Sequence, residues 1–207
     1  MDILIGRSDR LAPGILHELA EYRYKIFVEK LGWKLAISQV GTELDQFDRS
    51  DTRYLGIRGD DGEIAGTARL LPTVRPYLLG EVFPYLMPGG PPQDPEVWEL
   101  SRFAASGDES ALSGPLSQFA SAKVVALLDA ALRLAAAHGV HRLVTVSPLG
   151  IERLLRRYGF AVHRAGPPTV VDGQPLFACW IETGLGSRQS HVDSSTAVSR
   201  FPKDFKE

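Results

Sequence analysis

The chain has 207 residues, 44% of them hydrophobic, which is enough for one ordinary domain with a sizeable core. Lys plus Arg number 23 against 25 Asp plus Glu, a formal net charge of −2, so global charge gives no argument for nucleic acid or a membrane surface as partner. With no basic segment leading into an apolar run at the start, and no apolar stretch long enough to span a bilayer, the expected compartment is the cytoplasm, without membrane insertion.

Residues 1–6 alternate and read as a short strand. Residues 11–31 carry Ile15, Leu19, Tyr22, Ile26 and Phe27 at three- and four-residue steps, which predicts an amphipathic helix stopped at Gly32. Residues 33–50 lack periodicity and read as a long loop, a place where function concentrates. Residues 54–59 and 63–72 are strand-like and joined by the turn Gly59-Asp60-Asp61-Gly62. Residues 80–87 form a mixed apolar segment, followed by a turn at Pro88-Gly89-Gly90-Pro91-Pro92. A strand is predicted over 97–104 and a polar linker over 107–117.

The clearest helix is 119–138, with Val124, Leu127, Leu128, Ala131, Leu132 and Ala135 on its core face and Gly139 as its stop. Then come a strand over 141–147, a helix over 148–158 ended by Gly159, and strands over 160–164 and 176–183. The single cysteine, Cys179, sits in the last of these as a small core residue. It excludes a disulfide framework and a zinc site of several cysteines. The expected organisation is one domain over 1–185 and a polar, flexible tail over 186–207. Strands and helices alternate, early hairpins giving way to α/β units, which predicts a mixed sheet covered by helices.

Arg23 and Phe27 are four apart and share a helix face, and Trp33 follows just after. A guanidinium can hold a carboxylate and aromatic faces can meet a cationic sulfonium. Read separately, the two aromatics equally fit a core and Arg23 a solvated surface. Asp45 and Asp48, with Glu43 close by, offer carboxylates to an amine or to an arginine. Arg69 sits in the apolar strand Ala65-Gly66-Thr67-Ala68-Arg69-Leu70 and needs a partner, which either aspartate can be. A structural ion pair that closes the loop therefore rivals direct ligand contact.

Glu99 is the expected general base. In a regular strand Glu99, Ser101 and Phe103 share one face. Apolar neighbours raise the pKa of such a carboxylate, whereas Arg102 lowers it, and a Glu99–Arg102 pair is the competing structural reading. Arg153, Arg156 and Arg157, with Arg164 nearby, form a basic cluster that suits an acidic partner or a solvated helix face.

Arg23, Phe27, Trp33, Asp45, Asp48, Arg69 and Phe83, followed by Trp98-Glu99-Leu100-Ser101-Arg102-Phe103, together resemble the signature of acyl-homoserine lactone synthases. These are the LuxI-type autoinducer synthases, and the pattern is closest to those making octanoyl-homoserine lactone. The resemblance implies a fold like the GCN5-related N-acetyltransferases: a mixed, bent sheet with helices on both faces. It implies acylation of S-adenosylmethionine from an acylated acyl carrier protein, then lactone closure with release of 5′-methylthioadenosine. An acyl-CoA-dependent N-acyltransferase of the same fold is the alternative. Neither a metal nor a cofactor is implied, because S-adenosylmethionine is a substrate.

The implied catalytic residues are Glu99, Ser101 and Arg102. Arg23, Phe27, Trp33, Asp45, Asp48, Arg69, Phe83 and Phe103 would surround S-adenosylmethionine. Leu100, Leu127, Thr145, Val146, Ser147, Leu149, Ile151 and Leu176 would line an acyl pocket for about six to ten carbons. Arg153, Arg156, Arg157 and Arg164 would dock the carrier protein. An ordinary acetyl-CoA enzyme would need a glycine-rich phosphate loop after the central strand, and residues 103–108 do not supply one.

Overall fold

The computed structural model describes residues 1–35, 39–106 and 121–184. Among these residues eight strands form one sheet: β1 (Asp2–Arg7), β2 (Arg53–Arg58), β3 (Ile64–Pro72), β4 (Val97–Ala105), β5 (Arg142–Pro148), β6 (Val162–Arg164), β7 (Thr169–Val171) and β8 (Gln174–Glu182). The spatial order is β1-β2-β3-β4-β5-β8-β6, and β7 pairs with β8. All pairings are antiparallel except β4 with β5. That parallel pairing spans only three positions, ending at Glu99 opposite Val144, although both strands run on. Beyond Glu99 and Val144 the sheet therefore splits, and the facing edges of β4 and β5 are no longer bonded to each other.

Among the described residues four α-helices cover the sheet: α1 (Ile15–Arg23), α2 (Leu78–Val82), α3 (Ala122–Ala137) and α4 (Ile151–Arg157). The Ala- and Leu-rich α3 has the composition of a strong helix former. It is capped by Ser121, whose side chain accepts from the Val124 amide, and it ends before Gly139 at φ 77°. Its buried Leu127, Leu128, Ala131 and Ala135 pack with Leu55, Ile57, Leu70, Trp98, Leu100 and Phe177. Each such Leu or Phe contributes about 1.5–3 kcal/mol by leaving water. On the other face α1 and the turn that continues it bring Leu19, Tyr22, Ile26 and Phe27 against Tyr54 and Ala104, while Phe47, Leu71, Tyr77, Leu79 and Val144 form a further cluster. The alternation of Tyr54 with Leu55, and of Leu70 with Leu71, between these clusters is the period of two that the strands required.

The expected helix over 11–31 is two conformations. α1 begins only after Gly14, at φ 89°, and at Arg23 passes into a wider π-helical segment over Tyr24–Lys30. There the Leu31 amide reaches back to the Ile26 carbonyl, and the Trp33 amide reaches the Phe27 carbonyl at 2.9 Å. The apolar segment 80–87 folds as the short α2 and a 3-10 turn over Pro84–Leu86. β7 and β8 form an unforeseen hairpin, whose turn Asp172-Gly173 has φ 47° and 77° as a primed two-residue turn requires. Gly166 lets the chain pass under the Leu86 carbonyl, since a Cβ there would lie 2.1 Å from that oxygen. The expected linker over 107–117, the first residues of the expected 119–138 helix and the tail over 186–207 lie outside the described residues.

Candidate active site

Three arginines and three carboxylates meet on the α1 face of the central strands. Arg23, at the end of α1, donates to Glu43 at 2.5 Å and grips both oxygens of Asp48 at 2.8 and 3.0 Å. Arg69, from β3, holds both oxygens of Asp45 at 2.6 and 3.0 Å, reaches Asp48 at 3.0 Å and donates its Nε to Ser101 at 3.0 Å. Arg102, from β4, donates to Glu43 at 2.9 Å and to Asp45 at 2.9 Å. Tyr54 adds its hydroxyl to Asp48 at 2.6 Å. Arg23 and Arg69 are fully buried, and only Asp45 keeps a modest exposure, 11% of its side chain. Opposite charges balance, so burial is compensated by geometry that satisfies each group several times over.

Electrostatics follow from that arrangement. Burial acts to raise Asp48, but hydrogen bonds and charge from Arg23, with Arg69 and Tyr54, hold it well below the usual carboxylate range. Burial works against the charge on Arg69, yet Asp48 and Asp45 keep its pKa above the ordinary arginine value. Tyr54 is raised by burial and by the neighbouring Asp48 charge, so its hydroxyl stays a donor.

The Arg69–aspartate pairing weighed from the sequence is present, whereas the competing Glu99–Arg102 pair is not, Arg102 bonding Glu43 and Asp45. Arg102 has φ 49°, in the left-handed region, and lies at a β-bulge. Ser101 faces Arg69 and Ala104 faces Thr67, so Arg102 and Phe103 together oppose Ala68 alone. The extra residue turns the Arg102 side chain to Glu43 and Asp45. It also reverses the expected side of Phe103, which packs with the Leu100 and α3 cluster while Ala104 faces α1. Glu99, Ser101 and Phe103 therefore do not share a face, because the strand is not regular.

Glu99 is 1% exposed. Its carboxylate accepts the Leu78 amide at 2.9 Å and the Leu79 amide at 2.7 Å, the first N–H groups of α2. Burial pushes it up to about 7, against the downward pull of the Leu79 and Leu78 amides and of Arg69 and Arg102. A carboxylate poised there is half ionised near neutrality, which suits proton transfer. It stands at the point where β4 and β5 part.

Phe27 and Trp33 stack, with ring centroids 4.8 Å apart and planes 25° apart, and Arg102 lies 5.8 Å from the Phe27 centroid. Phe27 is buried, while Trp33 is 37% exposed and offers a free aromatic surface beside the charged cluster. Phe83 is half-buried in the cluster of Phe47, Tyr77 and Leu79.

The expected acyl-pocket residues divide between the two faces of the sheet. Leu100, Leu127 and Ile151 belong to the α3 cluster, and Thr145 and Ser147 oppose Cys179 and Phe177 of that cluster. Val146 and Leu176 pack on the Phe47 side, and Leu149 is exposed. Of the basic cluster, Arg156 and Arg164 both pair with Glu152, at 2.7 and 2.6 Å, so one carboxylate offsets part of its charge. Arg153 and Arg157 are exposed. Among the described residues no group of His, Cys, Asp and Glu has metal-binding geometry, and no helix is long and apolar enough to cross a membrane.

Tyr54 and Phe47 are the residues that sequence reasoning left out, and Glu43 was named only as a neighbour of the aspartates. Glu43 was visible as a third acid near Asp45. Tyr54 and Phe47 carried no signal apart from ordinary core chemistry.

Residues 10–190 match the family model described as autoinducer synthase. The chain is 50% identical over 184 residues to the acyl-homoserine-lactone synthase of Acinetobacter nosocomialis, covering 88% of this chain and 100% of that one. Among solved structures it is similar to TofI in a ternary complex with an inhibitor and MTA, with TM-score 0.77, 44% identity and coverage of 90% and 94% of the two chains. It is also similar to BjaI, a CoA-dependent acyl-homoserine lactone synthase solved with SAM and isopentyl-CoA, with TM-score 0.78, 26% identity and coverage of 89% and 84%. A likeness of fold extends to an acyl-CoA N-acyltransferase from Pseudomonas aeruginosa, with TM-score 0.59, 19% identity and coverage of 86% and 97%.

Proposed function

The chain belongs to the autoinducer synthase family and is an acyl-homoserine lactone synthase, and from that premise we propose that it acylates S-adenosylmethionine from an acylated acyl carrier protein, with octanoyl the preferred chain. The observation that carries the reading is Glu99, a buried carboxylate poised near 7 where the sheet splits. Glu99 takes a proton from the α-amino group, directly or through one water, as nitrogen attacks the thioester carbonyl. The C–N bond forms, the C–S bond breaks, and the carrier thiol leaves. Backbone amides of β4 beyond Glu99, on the edge no longer bonded to β5, supply donors to the tetrahedral oxyanion. The methionyl carboxylate then attacks its own γ-carbon, and the Cγ–sulfonium bond breaks to give 5′-methylthioadenosine and the lactone.

In this reading the arginine–carboxylate cluster sets the floor of the site. Arg23, Asp48 and Arg69 hold the 39–48 loop, while Asp45, the partly exposed member of the cluster, and Arg102 bonded to it position the amino acid end of the substrate. The exposed face of Trp33 receives the sulfonium or adenine. Trp33→Ala is expected to raise KM for S-adenosylmethionine about tenfold, the size of a desolvated cation–π contact, with kcat changed far less. Steady-state kinetics at saturating acyl donor measure this, and an unaltered KM would remove Trp33 from the binding site.

The acyl chain enters the gap between β4 and β5. Leu100, Leu127 and Ile151 bound it on one side, with Val146 and Leu176 on the other. These side chains trim the space, which supports a medium chain. Arg153 and Arg157 suit an acidic carrier protein. The alternative donor is acyl-CoA, which the likeness to BjaI favours.

Mass spectrometry of reactions with S-adenosylmethionine and C4 to C12 chains, loaded separately on carrier protein and on CoA, tests each part. Octanoyl-homoserine lactone formed fastest from carrier protein is the expected product. Dominance of another mass corrects the chain length, faster turnover of acyl-CoA corrects the donor, and absence of any lactone overturns the reading.

A further inference from the structure

We propose that Arg49 is a positioning residue: it latches the end of the arginine-bound loop to the turn whose backbone amides hold the Glu99 carboxylate. The inference deepens the reading of Glu99 as general base, although its geometry stands apart from that reading. Arg49 follows directly on Asp48, the residue gripped by Arg23 and Arg69. Its Nη1 donates to the Pro76 carbonyl at 2.7 Å, and its Nε donates to Asp51 at 3.2 Å. Asp51 in turn accepts from Arg75 at 2.5 Å. The chain 75–76 is thus held from both sides by residues 49 and 51. Two and three residues beyond Pro76, the Leu78 and Leu79 amides turn onto Glu99.

Apolar packing runs along the same line. Phe47, two residues before Arg49, is 1% exposed and packs with Tyr77 and Leu79. Thr52 closes the loop by donating to the Phe47 carbonyl at 2.7 Å and accepting from the Arg49 amide at 3.0 Å. The loop that carries Asp45 and Asp48 and the turn that carries the Glu99-binding amides are therefore one mechanical unit. Arg49 Nη2 is buried and has no acceptor among the described residues, which costs stability.

The consequence falls on Glu99. The charged and titratable groups facing it are Arg69 from β3, Arg102 from β4 and Tyr77 before α2. The arginines are pinned by the acidic cluster, so the amides are the movable part. Slackening them weakens hydrogen bonds that favour the ionised form, and the carboxyl pKa rises.

The test uses the full chain with Arg49→Met, which keeps the apolar stem, and Arg49→Lys, which can still reach one acceptor. The Glu99 side-chain carboxyl carbon is titrated by NMR, and hydrogen exchange is followed at the Leu78 and Leu79 amides. In Arg49→Met the titration is expected to move above its wild-type midpoint and the two amides to exchange at least tenfold faster. kcat should fall about tenfold with KM for S-adenosylmethionine within twofold, and Arg49→Lys should recover part of each effect. Should the Met variant fail to fold, the Lys variant carries the same readouts at smaller amplitude. An unchanged Glu99 titration and unchanged exchange overturn the inference. So does a raised KM with an unmoved titration, which would make Arg49 a direct substrate contact. If Glu99→Gln keeps wild-type kcat while Arg49→Met moves the titration, the general-base reading falls and the latch stands.

Discussion

Glu99→Gln is expected to lower kcat for amide formation by about 10²–10⁴-fold, the range a positioned general base supplies. The same substitution should abolish the acidic limb of the kcat profile, whose midpoint in the wild type is expected near the Glu99 value of about 7. The free substrate ammonium titrates close by, so a limb in kcat/KM alone is ambiguous, and its loss in the variant makes the assignment. Stability should respond in a linked way. A carboxyl raised from 4.5 to about 7 favours the folded state below the unfolded pKa, and that advantage is lost as pH rises through 7. Glutamine has no charge to lose. Its NH₂ must face one of the Leu78 and Leu79 donors, so the variant begins with a penalty at pH 5. Between pH 5 and 8 the stability difference should then shift in favour of the variant by a few kcal/mol. Urea unfolding at the two pH values measures it. A difference that does not change with pH would mean that Glu99 titrates normally in the folded chain.

Much of this site was legible because its parts obey local rules. An arginine in an apolar strand needs a carboxylate, and Arg69 finds two in the preceding loop. The apolar spacing of α3 and the alternation in β3 and β4 placed the core. What remained hidden is non-local or irregular. Nothing at Arg102 announces a left-handed residue, because the bulge is imposed by β3 pairing and by Glu43 and Asp45 from a distant loop. The Glu99 partners are backbone amides some twenty positions earlier, and amides carry no sequence signature. The π-helical segment after Arg23 has ordinary helical spacing, and its wider turn shows only in the hydrogen bonds of Leu31 and Trp33. The Asp172-Gly173 hairpin is different: its dipeptide is a strong turn signal, and the strand before it was simply short.

The second large effect is expected in stability. Arg69→Ala should destabilise the fold by about 3–5 kcal/mol, the cost of leaving buried charges without their partner. That is a large part of the 5–15 kcal/mol that holds a typical domain together. Arg69 is fully buried and makes four of the bonds in the cluster, two to Asp45, one to Asp48 and one to Ser101. Removing it leaves three arginine-bound acids with two arginines and a cavity the length of the side chain. Arg69→Lys restores the charge but not the fork, since one ammonium cannot meet Ser101 and both aspartates at once, so it should recover only part of the loss. The pH dependence separates charge from cavity. Asp48 is held below its ordinary pKa, so its contribution is present above the unfolded value and is lost as pH falls through the folded one. The charge component of the Arg69→Ala defect should therefore be full at pH 7 and shrink as pH falls from the unfolded Asp48 value through the folded one, while the cavity component persists. The exposed Arg133–Asp129 pair serves as control, where Arg133→Ala should cost less than about 1 kcal/mol. Denaturant midpoints at constant slope decide between the two components. A defect that stays constant from pH 7 down to about pH 2, well below the unfolded carboxylate value, would mean that Arg69 is held there for its volume, and that the three carboxylates balance with Arg23 and Arg102 alone.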